Sequence, residues 1–213
     1  MIKEIEKRIY SILIITPISL FFLIKGSFLF ILFLFILFIA AFYEWQNMNK
    51  KNFLFNILGF SFLLISFYSA YKLRELDLYY FLTVILICIS TDIGGYVFGK
   101  FFKGPKLTKI SPNKTIAGAL GGFVLSLIVC LIFLKYINNI NLFEFSFGFN
   151  ESNNLELPGF IFVLIISLIS QIGDIIVSFF KRLAKVKNTS KIIPGHGGIL
   201  DRIDGLIFAF PFT

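Results

Sequence analysis

The sequence has few charged residues and few of the side chains that form disulfide or zinc sites. Of its 213 residues, 15% are charged, against about 25% in a soluble domain. Cys88 and Cys130 both lie in apolar runs, and with a single histidine they argue against a disulfide framework and against zinc. Hydrophobic residues instead make up 57% of the chain, with 30 phenylalanines and a mean hydropathy of +0.88. This composition excludes an ordinary globular or disordered chain and indicates an integral membrane protein.

Uncharged runs of membrane-spanning length recur along the chain. A spanning helix needs about 20 mainly apolar residues, and five runs fit this length: 9–24, 26–43, 52–71, 115–134 and 157–173. A sixth run, 78–91, reaches it only if the helix continues through Asp92 to about Gly99. The last apolar segment, 203–213, would rise only about 16 Å along a helix axis. It is either part of a seventh span or a chain that ends early. We predict an all-α, polytopic membrane protein with six transmembrane helices and a partial seventh at the C-terminus.

Lysine and arginine are distributed unequally between the two ends of the predicted spans. With the N-terminus inside, 16 of the 20 basic residues fall in cytoplasmic segments, and the others are Lys25, Lys72, Arg74 and Lys135. Cytoplasmic loops of membrane proteins carry such an excess. The net charge of +8 therefore does not indicate a nucleic-acid partner.

Polar residues within apolar runs are costly and mark candidate functional sites. They gather in three stretches, all predicted near the cytoplasmic face. The first, 91–100, places Asp92 among glycines that would let another backbone approach; the alternative is a structural pairing of Asp92 with a nearby lysine.

The second stretch, 111–115, opens the fifth predicted span. We expect Ser111 to cap this helix and Pro112 to occupy its first position. Free N–H groups at a helix start, beside Lys114, would suit a phosphate group. The alternative is a well-capped helix whose glycines serve close packing.

The third stretch, 171–204, is the most specific. Polar residues spaced by three or four predict one helical face: Gln171, Asp174, Ser178, Lys181 and Lys185. A basic loop follows, and then a glycine-rich turn around His196 whose N–H groups could converge on an anion. Asp201 and Asp204 would share a helical face, and carboxylates with few nitrogen or sulfur ligands favour Mg²⁺. We interpret the stretch as metal-assisted phosphate chemistry, although basic clusters also serve as topology or headgroup signals.

These motifs closely resemble those of the phosphatidate cytidylyltransferases, or CDP-diacylglycerol synthases. The signature reads Ser178-x-x-Lys181-Arg182, then Pro194-Gly195-His196-Gly197-Gly198-x-x-Asp201-Arg202-x-Asp204. With the two upstream stretches, the resemblance covers roughly residues 90–208. It implies a bacterial inner-membrane enzyme of phospholipid biosynthesis, which makes CDP-diacylglycerol and pyrophosphate from CTP and phosphatidic acid with Mg²⁺. Residues 1–90 would then be N-terminal transmembrane helices, and residues 91–213 the catalytic membrane region with its site facing the cytoplasm.

The residue patterns and the resemblance together lead us to expect roles for individual residues. The expected catalytic residues are Lys181, Arg182, His196 and Asp201. The expected metal ligands are Asp174, Asp201 and Asp204. The expected substrate-binding residues are Ser111, Lys114, Thr115, Ser178, Lys187, Gly197, Gly198 and Arg202. Asp92 and Gln171 are expected to support the site.

Two departures and several alternatives accompany this interpretation. The family pattern has Lys-Asp where this chain has Lys187-Asn188, and the chain stops at Thr213, inside the expected last span. An inactive or truncated family member is therefore one alternative, and a related CTP-dependent enzyme acting on an ether lipid or a prenol is another. A transporter would use Asp92 and Asp174 as an ion relay. The choice between a monomer and a homodimer is left open.

Overall fold

The protein is built almost entirely from helices. The computed structural model describes residues 2–50, 52–108, 110–112, 114–138, 146–147, 157–195 and 197–213. The helices are α1 (Ile2–Lys25), α2 (Ser27–Met48), α3 (Phe53–Leu76), α4 (Leu78–Phe102), α5 (Ile116–Asn138), α6 (Gly159–Leu183) and α7 (Leu200–Ala209). A 3₁₀ turn, Phe210–Phe212, follows α7, and the two-residue strands β1 (Ser146–Phe147) and β2 (Leu157–Pro158) pair antiparallel.

Helices of membrane-spanning length confirm the predicted fold class. Within the described residues, five helices are long and apolar enough to cross a bilayer, namely α2 to α6. In α1 the apolar stretch is shorter, Leu13–Lys25, and α7 has ten residues. Large apolar side chains cover the outside of the bundle; Phe28 and Phe53 are 70% and 79% exposed. Such a surface suits lipid rather than water, and the chain is an all-α, polytopic integral membrane protein.

The continuation of the fourth span through Asp92 is also confirmed, because α4 runs unbroken from Leu78 to Phe102. Its glycines lie directly against α5. A Cβ atom on Gly94 would come within 2.5 Å of the Gly121 carbonyl oxygen and 2.9 Å of the Gly122 Cα. Only glycine permits this approach of two backbones, which brings the 91–100 stretch against the start of α5.

A buried apolar cluster joins α2, α3, α6 and α7. Its members are Ala41, Trp45, Met48, Leu63, Val177, Leu200 and Ile207. Trp45 donates a hydrogen bond from Nε1 to the Phe55 carbonyl oxygen at 2.9 Å, and its ring packs against Phe180 with 4.7 Å between centroids. This packing sets the end of α2 beside the end of α6 and the start of α7.

The bundle therefore has two different ends. At the short-turn end, Arg74 donates to the carbonyl oxygens of Leu23 and Ile24, and Asp77 caps α4 by accepting from the backbone N–H of Tyr79 at 2.6 Å. At the opposite end lie the connections 103–115, between α4 and α5, and 184–199, between α6 and α7. We call this the loop end, and the three polar stretches meet there.

Candidate active site

A cavity of about 320 Å³ opens between α4, α5 and α6 at the loop end. It brings together side chains from all three polar stretches of the sequence. The predicted site residues that line it are Asp92, Ser111, Lys114, Thr115, Gln171 and Asp174. Asp92 and Asp174, which are 82 positions apart in the chain, thus line the same cavity.

An ion pair crosses this cavity from α6 to the start of α5. The Lys114 ammonium binds Asp174 Oδ2, and both side chains are about one-quarter exposed, at 25% and 26%. The other carboxylate oxygen of Asp174 lies 3.5 Å from the Ser178 hydroxyl, which donates to it. Gln171 donates from Nε2 to the Ala119 carbonyl oxygen at 3.3 Å, so α6 is tied to α5 beside the ion pair.

Three carboxylates crowd together around the cavity. Asp92, Asp174 and the buried Asp204 interact electrostatically with one another. The basic groups that offset these charges are Lys114, Lys181 and Arg202. The site therefore gathers acidic and basic side chains at a partly accessible place.

The carboxylate oxygens at this site are ligands of the kind that a hard cation such as Mg²⁺ prefers. In the part of the chain that the structure describes, no group of three or more His, Cys, Asp and Glu side chains is arranged to hold a metal ion. Mg²⁺, however, is usually bound by one or two carboxylates, with substrate phosphates and water as its other ligands. The interacting carboxyl groups of Asp174 and Asp204 could supply such a pair.

Asp201 has a different environment, although it lies only three residues from Asp204. Lys181 donates from Nζ to its Oδ1 at 2.7 Å, while its Oδ2 accepts from the backbone N–H groups of Thr189 at 2.9 Å and Gly198 at 3.1 Å. Burial alone would raise the pKa of Asp201, but the Lys181 ammonium and these donors outweigh burial and hold that pKa below its usual range. An ionised Asp201 thus connects α6, the following loop and α7.

Glu44 is the residue that the sequence analysis missed. Its side chain, on α2, is fully buried and accepts four hydrogen bonds. The donors are the Thr189 hydroxyl (2.7 Å), the Ser190 hydroxyl (2.6 Å), the Ile199 N–H (2.9 Å) and the Leu200 N–H (2.8 Å). We call Glu44 and Asp201, with the 189–200 segment that they hold, the carboxylate clamp. One signal was available, because Glu44 is the only charged residue in α2.

The remaining predicted residues surround the clamp. Gly197 and Gly198 are buried, and Gly197 has a φ of +89° in a turn closed by a hydrogen bond from the Ile193 N–H to its carbonyl oxygen at 2.9 Å. Arg182, Lys187 and Arg202 are exposed. His196, predicted to be catalytic, lies outside the described residues.

Two local predictions were wrong. Helix α6 ends at Leu183, so Lys185 leaves the predicted polar face and adopts a φ of 56° in the loop. Helix α5 begins at Ile116, not near Ser111, and Thr115 caps it by accepting from the Gly118 N–H at 3.0 Å. The reason is an antiparallel bridge between residues 106 and 115, which keeps the backbone extended until the helix begins.

Comparison with known proteins agrees with the resemblance found in the motifs. The profile described as the cytidylyltransferase family matches residues 51–213, and the chain belongs to this family. It is similar to the phosphatidate cytidylyltransferase of Staphylococcus aureus (strain COL), with 39% identity over 178 residues. The proteins of the same name from Staphylococcus saprophyticus and Staphylococcus haemolyticus are each 36% identical over 178 residues. These matches cover 82% of this chain, which spans 64% of the length of these curated relatives.

Proposed function

We propose that this protein transfers the cytidylyl group of CTP to phosphatidic acid and releases CDP-diacylglycerol and pyrophosphate. The observation that carries this proposal is the cavity in which Asp92, Lys114 and Asp174 converge from three separate stretches. The curated relatives that share this chain's sequence are named for the same activity. A polar cavity at one end of an apolar bundle also suits a reaction between a water-soluble nucleotide and a lipid.

The chemistry asks for charge neutralisation more than for a strong base. A phosphate oxygen of phosphatidic acid would attack the α-phosphorus of CTP; a new P–O bond forms there, the bond to the bridging oxygen breaks, and pyrophosphate leaves. The attacking phosphate monoester is already largely dianionic near neutral pH, since its second pKa is about 6. The protein must therefore hold two polyanions together. Lys114 and Lys181 are the basic groups placed closest to the acidic cluster, and Arg202 adds a third positive charge.

We also infer a requirement for Mg²⁺. Asp174 and Asp204 would hold the cation, and the phosphates of CTP would complete its ligands. A bound Mg²⁺ supplies charge stabilisation for the transferred and leaving phosphoryl groups. Asp201, also predicted as a ligand, has each of its oxygens engaged by protein donors, so we assign it to positioning the segment beside the metal site.

The distribution of lysine and arginine supports a cytoplasmic site. The 103–115 and 184–199 connections of the loop end carry seven basic residues, and this end would face the cytoplasm of a bacterial inner membrane. CTP would enter from that side, while phosphatidic acid would arrive laterally from the bilayer. A homodimer stays a prediction.

The test is a transfer assay on purified protein reconstituted in lipid. CTP labelled at the α-phosphate, phosphatidic acid and Mg²⁺ should give a labelled lipid product, and chelation with EDTA should abolish it. Asp174→Asn should lose the product, while Asp77→Asn, the same chemical change at the short-turn end, should keep it.

Replacing the acceptor separates the proposal from its alternatives. Transfer to a prenol or an ether lipid, with none to phosphatidic acid, would assign a different acceptor. A lack of product with every acceptor, also after Asn188→Asp, would overturn the proposal in favour of an inactive family member.

A further inference from the structure

A fully buried carboxylate in the second helix lies far from the motifs that identify the family. Glu44 precedes the region matched by the family profile, which begins at residue 51. It has no accessible surface and no lysine or arginine bound to it among the described contacts. A buried charge is costly unless hydrogen bonds replace its water, so its partners must account for its position.

Those partners satisfy both oxygens of Glu44 in the same way. Oε1 accepts from the Ser190 hydroxyl and the Ile199 N–H, and Oε2 accepts from the Thr189 hydroxyl and the Leu200 N–H. Each oxygen thus receives one hydroxyl and one backbone donor. The two backbone donors lie at the start of α7, where the helix dipole favours a negative charge.

The segment between these partners leads directly to the acidic site. Thr189 binds Glu44 through its hydroxyl and Asp201 through its N–H, so the two carboxylates share one residue. The first turns of α7 then carry Asp201 and Asp204. Any movement of this helix start would displace Asp204 relative to Asp174, its partner on α6.

We propose that Glu44 is a positioning residue of the nucleotide site, which holds the 189–200 segment and the start of α7 in the geometry that binds CTP. This inference rests on the proposed function, since it takes CTP as the ligand. It assigns part of the site to the N-terminal helices, outside the predicted catalytic region of residues 91–213.

Glu44→Gln is the sharpest variant, because it keeps the size of the side chain and changes its hydrogen bonding. In either orientation of the new amide, an NH₂ group faces a backbone N–H of α7. The matched control is Glu75→Gln, an exposed glutamate paired with Arg74 at the short-turn end. Trp45, the only tryptophan of the chain, lies next to Glu44 and packs on Phe180, so its fluorescence reports whether α2 still packs against α6.

Two measurements report separately on the opening of the clamp and on nucleotide binding. Trypsin cleavage at the exposed Lys185, Lys187 and Lys191 measures local opening of the loop. Equilibrium dialysis with labelled CTP and Mg²⁺ measures the dissociation constant and the number of binding sites. For Glu44→Gln we expect cleavage about 10-fold faster and a dissociation constant about 10-fold higher, as for loss of a hydrogen bond to a buried charge. The number of sites and the Trp45 emission should match those of the unsubstituted protein, and Glu75→Gln should match it in every respect.

The outcomes distinguish this inference from the proposed function. A lower number of sites with an unchanged dissociation constant would overturn it, because a purely structural role reduces the folded fraction alone. Unchanged cleavage and binding would also overturn it. CTP binding that weakens in Glu44→Gln, in a protein that transfers nothing to phosphatidic acid, would support the inference while the proposed function fails. If Glu44→Gln does not fold, Ser190→Ala tests the inference instead, because it removes one of the four donors to Glu44. We then expect cleavage about 3-fold faster and a dissociation constant for CTP about 3-fold higher.

Discussion

The cavity and the carboxylate clamp lie side by side at the loop end, yet they use acidic residues in opposite ways. In the clamp, every oxygen of Glu44 and Asp201 accepts hydrogen bonds from the protein itself. Around the cavity, Asp92, Asp174 and the buried Asp204 repel one another, and Lys114 forms an ion pair with one of them, Asp174. The carboxylates of the clamp are bound by donors of the protein itself, whereas those around the cavity repel one another, and a cation would relieve that repulsion.

This difference separates a residue's contribution to the fold from its contribution to chemistry. Removing a carboxylate from the cavity should reduce turnover, because we assign these carboxylates to the metal site. It should not lower stability, because it also relieves the repulsion between them. Removing a carboxylate from the clamp leaves buried donors without partners, so it should lower both. Substitutions at matched positions can test this separation.

The largest effect is expected for Asp174→Asn. It removes the carboxylate that pairs with Lys114 and that we assign to the metal. Turnover with CTP and phosphatidic acid should fall about 10³-fold, in the range of losses when electrostatic stabilisation of the transition state is removed. The thermal unfolding midpoint should stay within error of that of the unsubstituted protein. A large drop in this midpoint would instead place Asp174 with the clamp.

Asp201→Asn should lower both activity and stability. It leaves the Lys181 ammonium, whose side chain is 11% exposed, without its partner. Breaking such a buried pair costs about 3 kcal/mol, and turnover should fall about 100-fold as the loop loosens. Thermal unfolding and the transfer assay measure the two losses. Turnover lost at unchanged stability would show that Asp201 contacts metal or substrate directly.

Part of this arrangement could be predicted from the sequence, and part could not. Asp92, Lys114 and Asp174 each stand out as polar residues beside apolar runs, so their convergence at one membrane face followed from topology alone. Glu44 is the only charged residue in α2, but an acidic residue near a helix end is ordinary, and its partners lie 145 to 156 positions away. The start of α5 was misplaced for a similar reason: Ser111-Pro112 is a strong local signal, but the pairing of Lys106 with Thr115 outweighs it.

Glycine substitutions test how much of the cavity depends on the contact between α4 and α5. In Gly94→Ala the added methyl group meets the Gly121 and Gly122 backbone, while in Gly95→Ala the nearest atom is 3.9 Å away. Forcing α4 from α5 should lower stability by about 1–3 kcal/mol and turnover about 10-fold. Gly95→Ala should leave thermal unfolding and transfer unchanged. Equal effects of the two variants would contradict a specific close contact at Gly94.

The smallest effect is expected at the short-turn end. Asp77 caps α4 there and lines no part of the cavity. Asp77→Ala should lower the free energy of unfolding by about 1 kcal/mol, as for other helix caps. Its dissociation constant for CTP and its transfer rate should not change. An altered rate would show that this end of α4 is coupled to the cavity.

The burial of Glu44 also has a consequence for how the protein is made. Synthesis delivers α2 to the membrane long before its partners, since Thr189 and Leu200 follow Glu44 by 145 and 156 residues. An acidic side chain is unfavourable among lipid tails, so until then Glu44 must stay near the hydrated surface. The four hydrogen bonds of Glu44 can form only after the 189–200 segment has been made. The clamp is therefore completed late in synthesis, well after α2 has left the ribosome.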